Sequence, residues 1–212
     1  MADRSAFGAK TTTDEVLDGI DLSGKAVLIT GGTSGLGAET ARAMAASGAD
    51  VTITARTAAK GQAAVDQIKA STGKIIAVEE LELGSAGSIR AFAERINGEN
   101  RKFDVLINNA GIMACPEGTT EDGFELQFGT NHLGHFLMTC LIAPSLADGA
   151  RVVALSSAAH QISRVMFDDI DMKKKGYDRW KAYGQSKTAN APVSYTHLTL
   201  PTIQHWWCCG GW

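Results

Sequence analysis

Residues 25–48, KAVLITGGTSGLGAETARAMAASG, decide the fold class. The apolar, β-branched beginning predicts a buried strand, and the Ala-rich end predicts a helix. Between them lies a turn of the pattern TGxxxGxG, with Gly31, Gly35 and Gly37. Glycine suits such a turn because the backbone bends sharply, a pyrophosphate must approach bare backbone, and the helix must pack close to the strand. The order of strand, glycine turn and helix therefore predicts a dinucleotide-binding unit.

The alternation of short strands with longer helices continues along the chain. Each crossover must return right-handed to the same sheet, so this alternation predicts a parallel sheet covered on both faces. We predict an α/β fold with a Rossmann-type, doubly wound, three-layer parallel sheet. The predicted strands are KAVLIT (25–30), DVTITA (50–55), KIIAVEEL (74–81), FDVLIN (103–108) and RVVALS (151–156). The predicted helices cover residues 37–48, 58–71, 85–97 and 121–146.

The chain of 212 residues is long enough for one domain with a substantial core. We predict a loosely held arm over residues 1–20, one domain over 21–190 and a tail over 191–212. The longest irregular connection, residues 157–182, follows the last predicted strand. Parallel sheets usually bind substrates at this carboxyl end of their strands.

Charge and composition exclude several classes of partner. A formal net charge of -3 gives no broad positive field for nucleic acid or an anionic membrane. No apolar run has the length of a signal-peptide core or of a membrane span, so we expect a cytoplasmic protein. Cys115 and Cys140 are isolated in the sequence, and we expect both to be buried, reduced thiols.

The end of the second predicted strand bears on the choice of cofactor. An acidic residue there would accept the ribose 2′-hydroxyl of NAD, whereas an arginine accommodates the 2′-phosphate of NADP. The sequence reads TITARTAAKG at 52–61 and places Arg56 there. NADP is therefore favoured over NAD, and Lys60 is a second candidate phosphate contact. The alternative is that Arg56 is simply a solvated residue at a strand end.

Tyr183 and Lys187 stand at positions i and i+4 of AYGQSK (182–187). On a helix, residues at this spacing project from one face. A neighbouring ammonium favours the phenolate form of a tyrosine, so the pair could exchange a proton with a carbonyl or alcohol oxygen. A YxxxK spacing is common by itself, and its weight depends on the motifs that accompany it.

Four motifs precede YGQSK (183–187): TGGTSGLG (30–37), NNAG (108–111), NHLGHF (131–136) and LSSAAH (155–160). In this order and spacing they resemble the short-chain dehydrogenase/reductase family. The longer strings NNAGIMACPEGTTEDGFELQFGTNHLGHFL and YDRWKAYGQSKTAN are most similar to its retinol dehydrogenase-like and WW-domain oxidoreductase-like branch. The resemblance runs from about residue 15 to Asn190.

The resemblance implies an oxidoreductase that transfers a hydride between a nicotinamide cofactor and an alcohol or its carbonyl compound. It implies that Tyr183 is the general acid in reduction and the base in oxidation. Lys187 would favour the phenolate and hold the nicotinamide ribose. Ser157 would hydrogen-bond the substrate oxygen and stabilise its developing charge. Asn131 would keep a water beside the lysine.

The resemblance also implies a set of cofactor contacts. Asn108 would tie down the central strands. Family members usually have aspartate, which binds the adenine amine, where this chain has the longer Glu82. The candidate cofactor-binding residues are Thr30, Gly31, Thr33, Ser34, Gly35, Leu36, Gly37, Arg56, Glu82, Leu83, Asn109, Ala110, Gly111, Tyr183 and Lys187.

Further side chains invite a functional interpretation. His132 and His135 share a helix face, but no third ligand stands at a suitable spacing, so we interpret them as packing or solvent contacts and predict no metal. His160 is a candidate for a substrate contact or for shaping the loop after Ser157. The candidates for lining an apolar cleft, which would suit a lipid-like alcohol or ketone, are Met113, Met166 and Phe167, although ordinary core packing explains Met113 equally well.

The segment after Asn190 departs from the family. Pro192 removes a backbone donor, so we expect the helix that carries Tyr183 to stop near Ala191. PVSYTHLTLPT (192–202) resembles a translated sequencing-adapter string, and VSYTHLTL alternates like a strand. We expect a tail foreign to the family and a sheet that lacks the family's last strands and helices, with an exposed edge prone to aggregation.

Two classes other than an active enzyme remain open. The chain could be a catalytically incomplete dinucleotide-binding fragment, or a scaffold whose fold serves interaction. The intact set of catalytic positions favours the enzyme, because a scaffold has no need of it. We expect a small-molecule alcohol or carbonyl substrate and no nucleic acid partner. Family members commonly dimerise, which makes a homodimer an option for the intact protein.

Overall fold

The computed structural model describes residues 7–196, and for residues 192–196 it describes the backbone alone. The chain divides into two compact units, Met1–Leu81 and Glu82–Trp212. Each unit contains parallel strands with flanking helices. The single domain predicted over residues 21–190 stays a prediction.

The first unit alternates strands and helices as the sequence predicts. The middle strand of this unit, Asp50–Ala55, pairs in parallel with a strand on each side. Its Val51 lies opposite Val27 of one neighbour, and its Ile53 lies opposite Val78 of the other. Val27 and Leu28 are consecutive in a strand, point to opposite faces, and are both fully buried, so both faces are covered here. The elements are α1 Thr13–Leu17, β1 Ala26–Ile29, α2 Gly35–Ala46, β2 Asp50–Ala55, α3 Ala58–Thr72 and β3 Ala77–Glu80.

A short helix, α1, forms within the segment that the sequence predicts to be a loosely held arm, and the arm itself stays a prediction. Thr12 and Glu15 close a capping box at the start of this helix. Arg42 of α2 then donates from Nη2 to Asp14 Oδ1 and to Glu39 Oε1, both at 2.7 Å. No residue of α1 is buried. The capping box and the contacts of Arg42 therefore hold this segment in place. Neither produces the apolar periodicity from which a helix is predicted in a sequence.

The second unit contains two parallel strands. Phe103 pairs with Leu146 and Val105 with Arg151, so the strand pair has an irregularity between these two registers. The last strand begins at Leu146 and ends at Ala154, earlier at both ends than the predicted residues 151–156. The elements are α4 Ala86–Gly98, β4 Phe103–Asn108, α5 Leu126–Phe128, α6 His135–Leu141, β5 Leu146–Ala154 and α7 Arg179–Thr196.

The continuous helix predicted over residues 121–146 is wrong. Residues 121–125 form a turn closed by a bridge between Thr119 and Glu125, and the Glu125 carboxylate caps α5. A π-helical segment, Gly129–Gly134, separates α5 from α6. Pro144 lies in a 3₁₀ turn, Ala143–Ser145, that leads directly into β5. The apolar residues at helical spacing are thus divided among four short elements. Capping and the π-segment set the boundaries of these elements.

The predicted end of α7 near Ala191 is also wrong, because the helix continues through Pro192 to Thr196. A proline in a helix costs about 3 kcal/mol through one missing hydrogen bond and a clash with the preceding turn. That cost does not forbid the helix when turns exist on both sides. The strand expected at 193–200 is helical over residues 193–196, and its remainder lies outside the described residues.

The first unit has the parallel strand order β3-β2-β1, and the second has the parallel pair β4-β5. Parallel strands that alternate with helices in both units confirm the predicted fold class. The later strands and helices that the family resemblance implies do not occur among residues 7–196. None of the helices described combines the length and the apolar character needed to cross a membrane.

Candidate active site

The glycine-rich turn of the first unit presents bare backbone at the start of α2. Gly31 and Gly35 have φ values of 67° and 55°, in the left-handed region that favours glycine. A Cβ on Gly32 would lie 2.3 Å from Ile53 Cγ2, so β2 leaves no room for a side chain there. Ser34 makes no side-chain cap and the first turn of α2 has no acidic residue. These features fit a pyrophosphate, because uncapped N–H groups and the helix dipole favour an anion.

The other candidates in this turn fall into two groups. Thr30 and Gly37 are buried, which places them in the packing of β1 and α2. Ser34, Gly35 and Leu36 are exposed, and Thr33 is half-buried. Exposed backbone at the helix start is the part that a ligand can reach.

Arg56 stands exposed directly after β2, at the position predicted for the ribose of the cofactor. It makes no hydrogen bond or ion pair with the other residues that the structure describes. Thr57 caps α3 by accepting from the backbone N–H of Lys60, whose side chain is also exposed. A guanidinium in this situation is available to a phosphate.

In the second unit Tyr183 and Lys187 lie on one face of α7. Lys187 Nζ is 5.7 Å from the centroid of the Tyr183 ring. The lysine is 95% buried, with 5% of its surface exposed, and Nζ donates to the carbonyl of Leu155 at 3.2 Å. An ammonium has three donors, so this bond leaves donors for a ligand. Burial lowers the pKa of Lys187, because the charged form loses water.

Asn131 lies in the π-segment and is fully buried. Its Oδ1 accepts from the backbone N–H of Ile112 at 2.8 Å, and its Nδ2 donates to the Ile112 carbonyl and to Ser186 Oγ. The Asn131 carbonyl accepts from Asn190 Nδ2 at 3.2 Å and lies 2.9 Å from His135 Nδ1. Both lone pairs of that oxygen thus have protein donors. The water that the resemblance implies beside Lys187 stays a prediction.

Gly111 brings bare backbone close to this pair. A Cβ on Gly111 would lie 3.3 Å from Asn131 Oδ1 and 3.5 Å from Lys187 Nζ. Asn109 and Ala110, which precede it, are half-buried. Asn108 is buried, and its Nδ2 donates to Thr139 Oγ1 of α6 at 3.0 Å, so its side chain ties β4 to a helix.

Ser157 caps a 3₁₀ helix, Ala158–Gln161, and its Oγ accepts from the backbone N–H of Ala159 at 3.2 Å. The Ser157 carbonyl accepts from the backbone N–H of His160 and lies 2.7 Å from His160 Nδ1. This geometry supports the loop-shaping interpretation of His160. The serine hydroxyl still has its own proton to donate.

Glu82 and Leu83 follow β3 in the chain and begin the second unit. Glu82 Oε1 accepts from the backbone N–H of Gly84 at 2.9 Å, and its own N–H donates to Ser88 Oγ. The carboxylate is thus part of the turn before α4. Leu83 is buried, and its carbonyl stands where a Cβ on Gly134 would lie, 2.2 Å away.

The two histidines of NHLGHF make contacts within the protein. His135 is buried against Asn131, and burial lowers its pKa to about 4, which favours the neutral ring. His132 Nδ1 lies 3.1 Å from Asn190 Oδ1, and its ring packs on Phe128 at 5.0 Å between centroids. Among residues 7–196 no group of three or more His, Cys, Asp or Glu side chains is placed to hold a metal.

Sequence reasoning missed four residues that organise this site. Gly184 allows α7 to approach the Ser157 segment, because a Cβ there would lie 2.7 Å from the Ala159 carbonyl. Gln185 is fully buried and binds both Met166 N–H and the Ile170 carbonyl in the long loop. Asn190 and Gln127 are the other two. Burial of an amide leaves no signal in a single sequence.

An open cavity in the second unit does not match the predicted apolar cleft. The cavity is lined by Pro116, Glu117, Tyr177, Asp178, Arg179 and Trp180. Of the residues predicted to line an apolar cleft, Met113 and Phe167 are largely exposed and Met166 is half-buried.

The two cysteines differ from the prediction. Cys140 is exposed and Cys115 is half-buried, so the expectation of two buried thiols is wrong.

Comparison with known proteins decides the family. The family model for short chain dehydrogenases matches residues 25–168. The chain belongs to the short chain dehydrogenase family. Members of this family are oxidoreductases that bind a nicotinamide dinucleotide. The sequence is 48% identical over 174 residues to retinol dehydrogenase 12 of Mus musculus, a match that covers 81% of this chain and 55% of the relative. This confirms the predicted retinol dehydrogenase-like resemblance.

Solved structures give the same result. This short chain dehydrogenase is 46% identical to an uncharacterised protein from Mycobacterium paratuberculosis, with a TM-score of 0.72 over 80% of this chain and 60% of that one. It is 25% identical to a short chain dehydrogenase from Escherichia coli CFT073 complexed with NADPH, with a TM-score of 0.62 over 79% and 68% of the two chains. The chain spans little more than half the length of its retinol dehydrogenase relative.

Proposed function

We propose that this protein is an NADP-dependent oxidoreductase that interconverts an alcohol and its carbonyl compound, with Tyr183 as the general acid and base. The observation that carries the proposal is the buried Lys187 ammonium, 5.7 Å from the Tyr183 ring on the same face of α7. Asn131 and Ser186 connect this helix face to the backbone after β4 through hydrogen bonds. A cation held this close to a phenol serves proton transfer better than it serves packing.

Each residue has a defined task in this proposal. The cofactor, when bound, supplies or accepts the hydride. In reduction, Tyr183 Oη donates its proton to the substrate oxygen, and the Lys187 ammonium compensates the negative charge left on the phenol. Ser157 Oγ donates a hydrogen bond to the same substrate oxygen and stabilises charge that develops there. In oxidation the proton returns to Tyr183.

The preference for NADP rests on the first unit. Arg56 is exposed and without a partner among the described residues, directly after β2. A guanidinium binds a phosphate in a bidentate way, whereas NAD would offer it only a hydroxyl. The similarity to a short chain dehydrogenase complexed with NADPH is in line with this choice. The similarity to a retinol dehydrogenase favours an apolar alcohol or aldehyde as substrate.

Cofactor titration combined with turnover tests the proposal. NADPH and NADH are titrated against the protein by nucleotide fluorescence, and a panel of aldehydes and ketones is then offered with NADPH. We expect tighter binding of NADPH than of NADH, turnover of at least one apolar carbonyl compound, and loss of turnover in Y183F. Equal affinity for the two nucleotides would remove the role of Arg56.

The same measurements separate the enzyme from its alternative. A catalytically incomplete dinucleotide-binding fragment would bind NADPH tightly and reduce no member of the panel. A cytoplasmic location and a homodimer stay predictions, to be checked by cell fractionation and by light scattering.

A further inference from the structure

Gln127 is fully buried in α5, and its amide is bonded on both sides. Its Oε1 accepts from the backbone N–H of Ala114 at 2.8 Å. Its Nε2 donates to Tyr177 Oη and to the Arg179 carbonyl, both at 2.9 Å. A side chain that uses its acceptor on Ala114 and its donors on Tyr177 and Arg179 fixes the loop and the start of α7 against α5.

The geometry of Gln127 repeats that of Asn131 one helical turn earlier. The two residues are four apart, so both face the loop after β4. Asn131 accepts from Ile112 N–H and Gln127 accepts from Ala114 N–H, two residues further along the same loop. On their other side both amides reach α7, at Ser186 and at Arg179. Two parallel amide brackets therefore join the same loop to the same helix.

The loop end of the Gln127 bracket holds a strained residue. Ala114 has a φ of 50°, a left-handed conformation that is unfavourable for an L-residue with a Cβ. Such a conformation persists only when its surroundings fix it. The Gln127 bond to the Ala114 N–H is one such fixing contact. Tyr177 Oη adds a second by donating to the carbonyl of Cys115 at 3.0 Å.

The helix end of the bracket sets the start of α7. Arg179 is the first residue of this helix, and its carbonyl accepts from Gln127. Tyr183 is four residues later, one turn along the same face. A displacement of the first turn of α7 therefore moves Tyr183 by a similar distance. Asn131 holds the helix further along, at Ser186, and does not replace this contact.

We propose that Gln127 is a positioning residue for Tyr183, and that its amide, with one acceptor and two donors, is the required group. This inference rests on the proposed function, because it assigns Gln127 to the same proton-transfer site. Gln127 touches neither substrate nor cofactor in this proposal. It acts by fixing the loop at Ala114 and the start of α7 at Arg179 in one geometry.

Two substitutions of Gln127 distinguish its contact with the loop at Ala114 from its contact with the start of α7. Q127M keeps the shape of the side chain and removes the acceptor and both donors. Q127E keeps an acceptor for Ala114 and, when ionised, has no donor for Arg179. A buried carboxyl group with Glu125 nearby is protonated more readily than a free one, and its protonated form regains one donor. N97L is the control, because Asn97 also brackets two segments, through the Leu141 carbonyl and Ser145 Oγ, away from α7.

Turnover per folded molecule is the first readout, with the folded fraction taken from circular dichroism. We expect kcat to fall about 10- to 100-fold in Q127M, as for misplacement of a catalytic group by about an ångström, with little change in KM for NADPH. N97L should lose stability and keep its kcat. Q127E should regain turnover relative to wild type as the pH is lowered. A kcat for Q127M equal to that of N97L would overturn the proposal.

A second readout does not depend on turnover. Tyrosine labelled with ¹³C at Cζ gives one resonance per tyrosine, and Y183F identifies that of Tyr183. We expect Q127M to shift the Tyr183 resonance and to accelerate hydrogen exchange at the Ala114 amide, whereas N97L does neither. If wild type proves inactive, the proposed function fails, and this arm still decides the role of Gln127. Faster exchange at Ala114 with an unmoved Tyr183 resonance would overturn it.

Discussion

Replacing Gly184 by alanine tests how closely α7 packs on the segment that carries Ser157. A Cβ at this position would lie 2.7 Å from the Ala159 carbonyl oxygen and 3.2 Å from both Ile162 Cβ and Ser163 N. Two of these three atoms are backbone atoms, so no rotamer change relieves the contacts. Either α7 or the loop must shift, and Tyr183 is the neighbouring residue on the helix.

The size of the effect follows from two opposing contributions. Overpacking of a tight site costs about 1–3 kcal/mol, and backbone contacts on one side place G184A in the upper half of that range. Alanine is favoured over glycine in a helix by about 1 kcal/mol. We therefore expect G184A to lose about 1–2 kcal/mol of unfolding free energy. Turnover per folded molecule should fall as well, because Tyr183 and Ser157 lie on the two segments that separate.

Urea unfolding followed by circular dichroism measures this difference. G98A is the matched control, since Gly98 ends α4 with nothing within 4 Å of a built Cβ. It should be as stable as wild type or more stable, by up to about 1 kcal/mol. If G184A gained stability as G98A does, the packing of α7 described above would be refuted.

Three further predictions concern other parts of the chain. R42A removes the contacts to Asp14 and Glu39, which are partly exposed, so it should lower the free energy of unfolding by about 1 kcal/mol or less. It should also speed proteolysis near α1. An unchanged cleavage rate would contradict the anchoring of that helix by Arg42. Burial lowers the pKa of His135 from 6.5 to about 4, so the unfolded chain binds more protons in that interval and stability should fall as pH falls through it. Urea unfolding between these pH values should show a flatter profile in H135N than in wild type. R56D should weaken NADPH binding by about tenfold or more and leave NADH binding unchanged or improved, and an equal loss for both nucleotides would argue against the phosphate contact.

The strands and the glycine turn could be predicted because their causes are local. The residues of β1 and β2 are continuous apolar or β-branched runs, and Gly31 and Gly35 occupy backbone conformations that favour glycine. The YGQSK motif also lies on a helix as expected, with Tyr183 and Lys187 on one face, whereas NHLGHF is divided between the π-segment and α6.

The rest depends on contacts between residues distant in sequence. In the π-segment, the Asn131 carbonyl is bonded to His135 and to Asn190, and Asn190 is 59 residues away in the sequence. Gln127 reads as an ordinary polar residue, yet its partners are 13 to 52 residues away. The prediction that α7 ends before Pro192 also failed, because a single proline weakens a helix without necessarily ending it.

Turnover by wild type and Y183F, in parallel, tests the central proposal most directly. The assay follows the loss of NADPH fluorescence with an apolar aldehyde, and nucleotide titration confirms that both proteins bind NADPH equally. We predict that wild type consumes NADPH and that Y183F, with its phenol oxygen removed and Lys187 intact, does not. Wild-type turnover in Y183F would contradict the assignment of proton transfer to Tyr183.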